Sequence, residues 1–568
     1  MISATIQKDI LKPEGFHSQS KSLLLASLAI NILSLAVPIM TLQVYDRILP
    51  NVGSGTLPIL LAGVFIAIVL EAALRLTRAY VIGWNGATYE HRMSCKAMNH
   101  ILQSNLSRVG PVGIGEHMSR MAAIGKLKDF YNGYGLVTLS ELVFVPVFLG
   151  LIAYIGGPLI IVPSVILILF MVLSLWQGRK LRNVLDQRGQ IDDERYNFLI
   201  ESLEGIHTIK SFAMENAFSR RYEALEETST LANYAVTDAT ASTFNTGAVF
   251  SHLMVTCVIV MGAIFVLQGH LTTGGLIATI ILSGRIMQPI QRTLGLWAGY
   301  QDFSIAREKA NALFATPLHI PPEANTVNPP REGTLQINHL SFRFADDQPW
   351  ILENINIDIK ARECILLDTD QASSKSILLK VLSGIYPPTQ GQIRVDGTDI
   401  QYFAAEQLVH HVGYIQTEGL IFRGSIRDNL TCFGQIDESH VREIASLLKV
   451  DRDIAKLSSG FDTYLSGNHT DSITPGLKQR IAMVRVLATK PRIILFDNAD
   501  RSLDHQGYNT IYKLLAQLKG KATMILISDD QNLRNLADRF CRLQGSKLIE
   551  TNDSENAPKV QPYQELRI

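Results

Sequence analysis

The sequence predicts a helical membrane domain of six spans, followed by an α/β domain with a largely parallel sheet. Three observations carry this. Long apolar runs crowd the first half of the chain. A proline-rich polar stretch, "PLHIPPEANTVNPPRE" at 317–332, then breaks the pattern and reads as a linker. Beyond it, short apolar strand patterns alternate with helical ones, as in a parallel sheet with crossover helices.

The chain has 568 residues, more than one hydrophobic core can organise. Its formal net charge is zero, so no bulk basic signal points to nucleic acid as a partner. Hydrophobic residues make up 47%, unevenly placed. Cys95, Cys257, Cys364, Cys432 and Cys541 are scattered without metal-ligand spacing and read as reduced, structural thiols. The first apolar run begins only after Lys21 and is too long for a cleavable signal peptide.

A membrane span needs roughly 20 apolar residues. Six stretches approach or reach this: Ser22–Gln43, Leu57–Leu74, Leu136–Ile155, Leu159–Trp176, Ala248–Leu267 and Leu276–Ala298. The second ends near Glu71, and the sixth carries Arg285 and Pro289. Lipid is therefore the expected surrounding of this half. Basic residues set the orientation. Lys8, Lys12 and Lys21 precede the first span, and Arg75, Arg78, Arg92, Lys96, Arg108, Arg120, Lys126 and Lys128 lie between the second and third. Arg179, Lys180, Arg182 and Arg188 follow the fourth, while the opposite side carries only Arg47. Both termini are thus expected in the cytoplasm, with the spans running on into long inner helices. Arg285 is the most deeply placed charge, a candidate for the translocation path. The alternative is a structural role, paired with an acid such as Glu141.

In the second half, "LQINHLSFRF", "ILENINIDIK", "CILLD", "PRIILFD" and "ATMILIS" read as strands. The stretch "CILLDTDQASSKSILLKVLSG" (364–384) has the outline of a phosphate-binding loop: a strand, a polar loop, then Lys375–Ser376 opening a helix. Its loop holds no glycine.

Six spans followed by such a domain resemble ABC exporters of the half-transporter type. The most specific matches are "MTLQVYDRILPN" (40–51), "ESLEGIHTIKSFAMEN" (201–216) and "ILSGRIMQPIQ" (281–291), which resemble the ATPase–permease of bacterial type I protein secretion. The resemblance implies a cytoplasmic segment at 1–20, an ABC exporter transmembrane domain at 21–316, a linker at 317–332, an ABC nucleotide-binding domain at 333–551 and a polar tail at 552–568. It also implies ATP and Mg²⁺ as ligands, a second ABC half-transporter as partner, and a periplasmic adaptor and outer-membrane channel beyond the bacterial inner membrane.

Carried over position by position, the nucleotide motifs are eroded. The family's G-x-x-G-x-G-K-S/T falls on residues 369–376, with Thr369, Ala372 and Ser374 in the glycine positions. A Cβ there restricts positive φ and crowds the approach to phosphate. Lys375 keeps the phosphate-binding role, and Ser376 and Asp497 keep the Mg²⁺ roles. Asn498 stands where the resemblance places the catalytic glutamate; an amide has no basic lone pair to take a proton. Asp529 stands where it places the γ-phosphate histidine, with Asp530 beside it. Phe344 matches the adenine-stacking aromatic. Thr417 matches the glutamine that links nucleotide to membrane half, with Gln416 one residue early. The signature loop reads Ile473-Thr474-Pro475-Gly476-Leu477, where Pro475 lacks an N–H. The expectation is an exporter subunit with an impaired ATP site, acting as the non-hydrolysing half of a dimer. The alternative is a non-transporting membrane scaffold or sensor on the same framework.

Overall fold

The computed structural model describes residues 16–50, 55–106, 113–131, 134–318, 332–345, 347–369, 372–467, 471 and 473–551. The polar tail at 552–568 and nearly all of the linker at 317–332 lie outside them. The chain separates into two compact units, one holding the long helices up to Pro317 and one holding the strands from Leu318 onward.

Helices cover all six apolar stretches. The first stretch is α1 (Phe16–Leu33) and α2 (Ala36–Gln43), continued by a single π turn, Val44–Ile48. The second opens α3 (Leu57–Gln103). Next come α4 (Ile114–Tyr131), α5 (Tyr134–Val143) and α6 (Val145–Gly156). Gly157, at φ 54°, turns the chain into α7 (Ile161–Glu204). A short α8 (Ile206–Ser211), α9 (Glu215–Leu267) and α10 (Thr273–Phe314) complete the unit. Among the described residues, four continuous helical segments can cross a membrane by length and composition: Lys21–Ile48, Leu57–Gln103, Ser140–Glu204 and Glu215–Leu267. The third of these takes in two of the expected spans. α10 is not among them; its apolar run is diluted by Arg285, Gln288 and Arg292.

α3 has 47 residues and α9 has 53. At about 1.5 Å per residue each reaches well over twice the ~30 Å hydrocarbon thickness, so both run on far past their apolar segments. Two small cores brace the apolar ends: Leu159, Phe170, Met254 and Val258 in one, Phe148, Ile152, Leu282 and Ile286 in the other. A third, with Tyr89, Ile124, Leu127 and Phe303, ties α3, α4 and α10. Outward-facing residues of the spans are large and apolar, among them Ile59, Phe65, Ile168 and Met171. Such a surface suits lipid and not water.

The π turn has a use. It carries Asp46, whose carboxylate accepts from the Thr272 hydroxyl at 2.6 Å and the Gly274 N–H at 2.9 Å. Thr272 in turn caps α10 by accepting from Gly275 N–H at 3.0 Å. A Cβ on Gly274 would lie 2.5 Å from Asp46 Oδ1, so the contact requires glycine. Asp46→Ala leaves the Gly274 N–H without its acceptor. It is expected to cost about 1 kcal/mol, in the range of a lost helix cap. Asp46→Asn, which keeps an acceptor oxygen, should cost less. Melting of the detergent-solubilised chain checks the order.

In the second unit, β1 (Leu335–Phe342) and β2 (Leu352–Ile359) pair antiparallel, and β3 (Cys364–Thr369) leads into α11 (Ala372–Leu382). β4 (Gln390–Val395) and β5 (Thr398–Asp399) complete a four-stranded sheet of order β2-β1-β4-β5. After β6 (Val412–Ile415), the short β7 (Gly424–Ser425) and β8 (Tyr464–Leu465) form a ribbon. Then follow β9 (Ile493–Asp497), β10 (Thr523–Ile527), β11 (Arg539–Gln544) and β12 (Lys547–Thr551). The main sheet runs β12-β11-β3-β10-β9-β6, parallel except at β12. β9 and β10 are buried at every residue, as both faces are covered. Because β3, β6, β9 and β10 are parallel, their C-terminal ends share one edge, where α/β sheets place their ligands.

Candidate functional site

Four strand ends deliver the site. β9 ends on Asp497, paired in register with Ile527 of β10. One Asp497 oxygen accepts from the Ser376 hydroxyl of α11 at 2.9 Å, the other from the Tyr414 hydroxyl of β6 at 2.9 Å. Its backbone carbonyl accepts from the Thr417 hydroxyl at 2.9 Å. Ser376, Asp497 and Thr417 are thereby brought together. Gln416 is exposed, and its carbonyl accepts from the Gln479 side chain at 2.8 Å, so Thr417 is the residue turned inward. Tyr414 carried no motif. Burial is the main force pushing its phenol upward, with the Asp497 charge second.

The phosphate loop departs from expectation. The helix opens at Ala372 and not at Lys375, and β3 runs through Thr369. Residues 370 and 371, between them, lie outside the described residues. The reason is local. Nothing in Ala372-Ser373-Ser374 demands positive φ, and alanine favours helix, so the first turn propagates backward. A helix opening here leaves only its first-turn N–H groups free. From Ser376 onward they are spent within the helix. Ser374 and Lys375 are both buried, at 3% and 7% exposure.

Asn498 follows Asp497 with φ at 46°, a left-handed conformation that asparagine tolerates better than most residues. Its N–H donates to Ile527 O at 2.9 Å, and its side-chain oxygen is buried without a hydrogen-bond partner among the described residues. The Asp529 carboxylate pairs with Arg501, and that hydrogen bond holds its carboxyl below the usual range. The bare negative charge expected at this position is therefore already matched by a cation. Asp530 caps the helix Gln531–Arg534 and accepts from Tyr508, whose phenol is pushed up to about 12 by burial first and this bond second. Burial also raises Asp500, against the hydrogen bond from Ser528 at 2.8 Å.

Phe344 packs edge-on to Tyr386, with ring centroids 5.6 Å apart. In the signature loop Ile473 and Leu477 are buried. Thr474 caps the helix Pro475–Leu487, accepting from Leu477 N–H at 3.2 Å. Pro475 sits in its first turn, where a missing N–H costs the helix nothing. Gly476 passes close to the backbone of Ser502 and Asp504.

The pairing of Arg285 with Glu141 is overturned. Glu141 is held by Arg292 at 2.6 Å and Arg78 at 3.5 Å. Arg292 lies two turns beyond Arg285 on nearly the same face of α10, level with Glu141. Arg285 has no hydrogen-bond or ion-pair partner among the described residues.

Residues 22–290 match the ABC transporter transmembrane region, and residues 352–501 match the ABC transporter domain. This is an ABC exporter. The exporter is 27% identical over 536 residues to the leukotoxin export ATP-binding protein LtxB of Aggregatibacter actinomycetemcomitans, covering 93% of this chain and 74% of that one. It is 29% identical over 516 residues to the alpha-hemolysin translocation ATP-binding protein HlyB of Escherichia coli O157:H7, covering 89% and 71%. A bacterial Atm1-family ABC exporter solved with ATP bound shares the fold at TM-score 0.78 and 18% identity, over 94% of this chain and 95% of that one. The exporter is thus similar to type I secretion ATPase–permeases, and its cassette is an ATP-binding fold. Ser376 and Asp497 converge as a hydroxyl and a carboxylate, a donor set that fits Mg²⁺ with waters and phosphate in its remaining positions. An ion held there would offset phosphate charge.

Proposed function

We propose that this chain is an inner-membrane exporter subunit of the type I secretion kind whose own ATP site is impaired, and that it acts as the non-hydrolysing half of a dimer. One observation carries the impairment: the stretch that should cradle phosphate is strand through Thr369 and helix from Ala372. Phosphate affinity in such loops comes from backbone N–H groups that converge from a loop wrapped around the anion; here the N–H groups left free are those of one helical turn, lined up along the helix axis and not wrapped around a ligand. Residual binding rests on Phe344, Lys375, Ser376, Thr417 and Asp497. Asn498 removes general-base help.

Exporters of this family work as dimers, and in type I secretion with an adaptor and an outer-membrane channel. A competent partner half would supply hydrolysis, and this chain's Ile473–Leu477 would face the partner's phosphate loop. Purification from the native host's membranes should then yield a second ABC half with a glycine-bearing phosphate loop. A homodimer with robust ATP turnover would end the proposal. Pro475 favours the second reading, a membrane scaffold or sensor, because the N–H it lacks is one the signature loop offers to nucleotide. That reading predicts no ABC partner in the same preparation.

Loop charges support a cytoplasmic position for both termini. A reporter fused after Gly157 should lie outside and one fused after Gly178 inside. Both on one side would refute the orientation. Arg285, unpaired among the described residues, remains the translocation-path candidate.

A further inference from the structure

Lys375 is buried, and a buried ammonium needs a counter-charge. It finds one within its own chain. Asp368, near the end of β3, places Oδ1 3.8 Å from Lys375 Nζ. The other oxygen of the same carboxylate takes Arg534 Nη2 at 3.3 Å. Arg534 comes from the short helix that follows β10 and Asp530. The geometry therefore sets one carboxylate between two cations at the edge where the strands end.

We propose that Asp368 is a built-in counter-ion that stands in for a nucleotide phosphate on Lys375 and Arg534 and excludes phosphorylated ligands from the site. This rests on the impaired-site reading and names the residue that enforces it. A carboxylate and a phosphate present the same thing to these cations: two oxygens sharing negative charge. The half-buried Asp368 is fixed to the backbone beside them and needs no binding entropy to be there. A triphosphate arriving at Lys375 must displace this carboxylate or lie beside it, and like charges at that range repel strongly. Asp529 adds to the same balance: the Arg501 bond dominates in keeping it ionised, and Lys375 and Arg534 contribute. The cations at this edge are thus matched without nucleotide, so the cassette does not need ATP to neutralise its own site.

The test uses the full chain in lipid nanodiscs, with Mg·ATP and inorganic tripolyphosphate as probes. Asp368→Asn keeps the shape and removes the charge. It should bind both probes about ten-fold or more tightly than the unmutated chain. It should also melt earlier in their absence, because Lys375 loses its counter-charge. The gain in binding should vanish in Asp368→Asn/Lys375→Met. Asp368→Ser serves as a second variant should the first fail to fold. If the unmutated chain binds weakly and a folded Asp368 variant binds no better, Asp368 is not the excluding group, while the impaired-site reading stands. Tight binding by the unmutated chain overturns both.

Discussion

The purified chain is expected to hydrolyse ATP no faster than background, and Asn498→Glu to leave it there. A general base contributes typically 10²–10⁴-fold, but only on a nucleotide already bound and oriented. Restoring the carboxylate at 498 supplies the water-polarising group at a position whose φ of 46° the new residue tolerates less well. It does not reopen the helix that begins at Ala372, and it leaves Lys375 facing Asp368. In a homodimer the opposing signature would still carry Pro475. On the proposed reading, binding and not proton transfer is the limiting loss. If a partner half supplies hydrolysis, Lys375→Ala should change transport little. Steady-state turnover of the lone chain decides the matter. Robust activity abolished by Lys375→Ala would mean that Thr369, Ala372 and Ser374 do not obstruct the site.

Much of the framework was legible because its signals are local. β9 and β10 read as buried strands from unbroken apolar runs, and the paired placement of Ser376 and Asp497 followed from motif register alone. The α1–α2 stretch showed its length but not its π turn, since the reason for that turn, Asp46 reaching Thr272 and Gly274, is far away in sequence. The start of α11 was misplaced for an instructive reason. The outline of a phosphate loop put the helix start at Lys375, whereas the residues actually present prefer helix three positions earlier. The local signal, an Ala-Ser-Ser run without glycine, was in plain view. Tyr414, Arg501 and Arg534 were missed because nothing in their own neighbourhoods marks them. Each gains its role from a strand or loop brought alongside by the parallel sheet. For Arg285 and Arg292, one heptad apart, spacing alone could not say which lies level with Glu141.

Asp453→Ala is expected to be among the most damaging single changes to the cassette, although it lies outside every nucleotide motif. Arg480, on the helix that follows the signature loop, is buried with 3% of its side chain exposed, and its Nη2 meets Asp453 Oδ2 at 2.7 Å. Its other contacts are carbonyls: Leu448 O and Gly476 O, each at 3.4 Å. Truncating Asp453 leaves a buried guanidinium without a counter-charge, a loss of about 3–5 kcal/mol. Truncating the exposed Lys456, the other partner of Asp453, should cost under about 1 kcal/mol. Replacing both members, as Asp453→Ala/Arg480→Met, should recover part of the stability, because no charge then remains buried. Asp453 titrates accordingly. Burial alone would raise it, but the Lys456 and Arg480 hydrogen bonds outweigh burial and lower it. A depressed folded-state pKa means that this stabilisation is complete above the ordinary aspartate value of about 3.9 and is lost as pH falls below it. Hydrogen exchange of β9 and β10 in the full chain reads the effect directly. Loss of about 3 kcal/mol should speed their slowest amides about a hundred-fold. Equal effects of Asp453→Ala and Lys456→Ala would show that Arg480 is satisfied by its carbonyls alone. A cassette held by such a pair keeps its signature helix in place whether or not nucleotide binds, which is what the proposed role as a non-hydrolysing half requires.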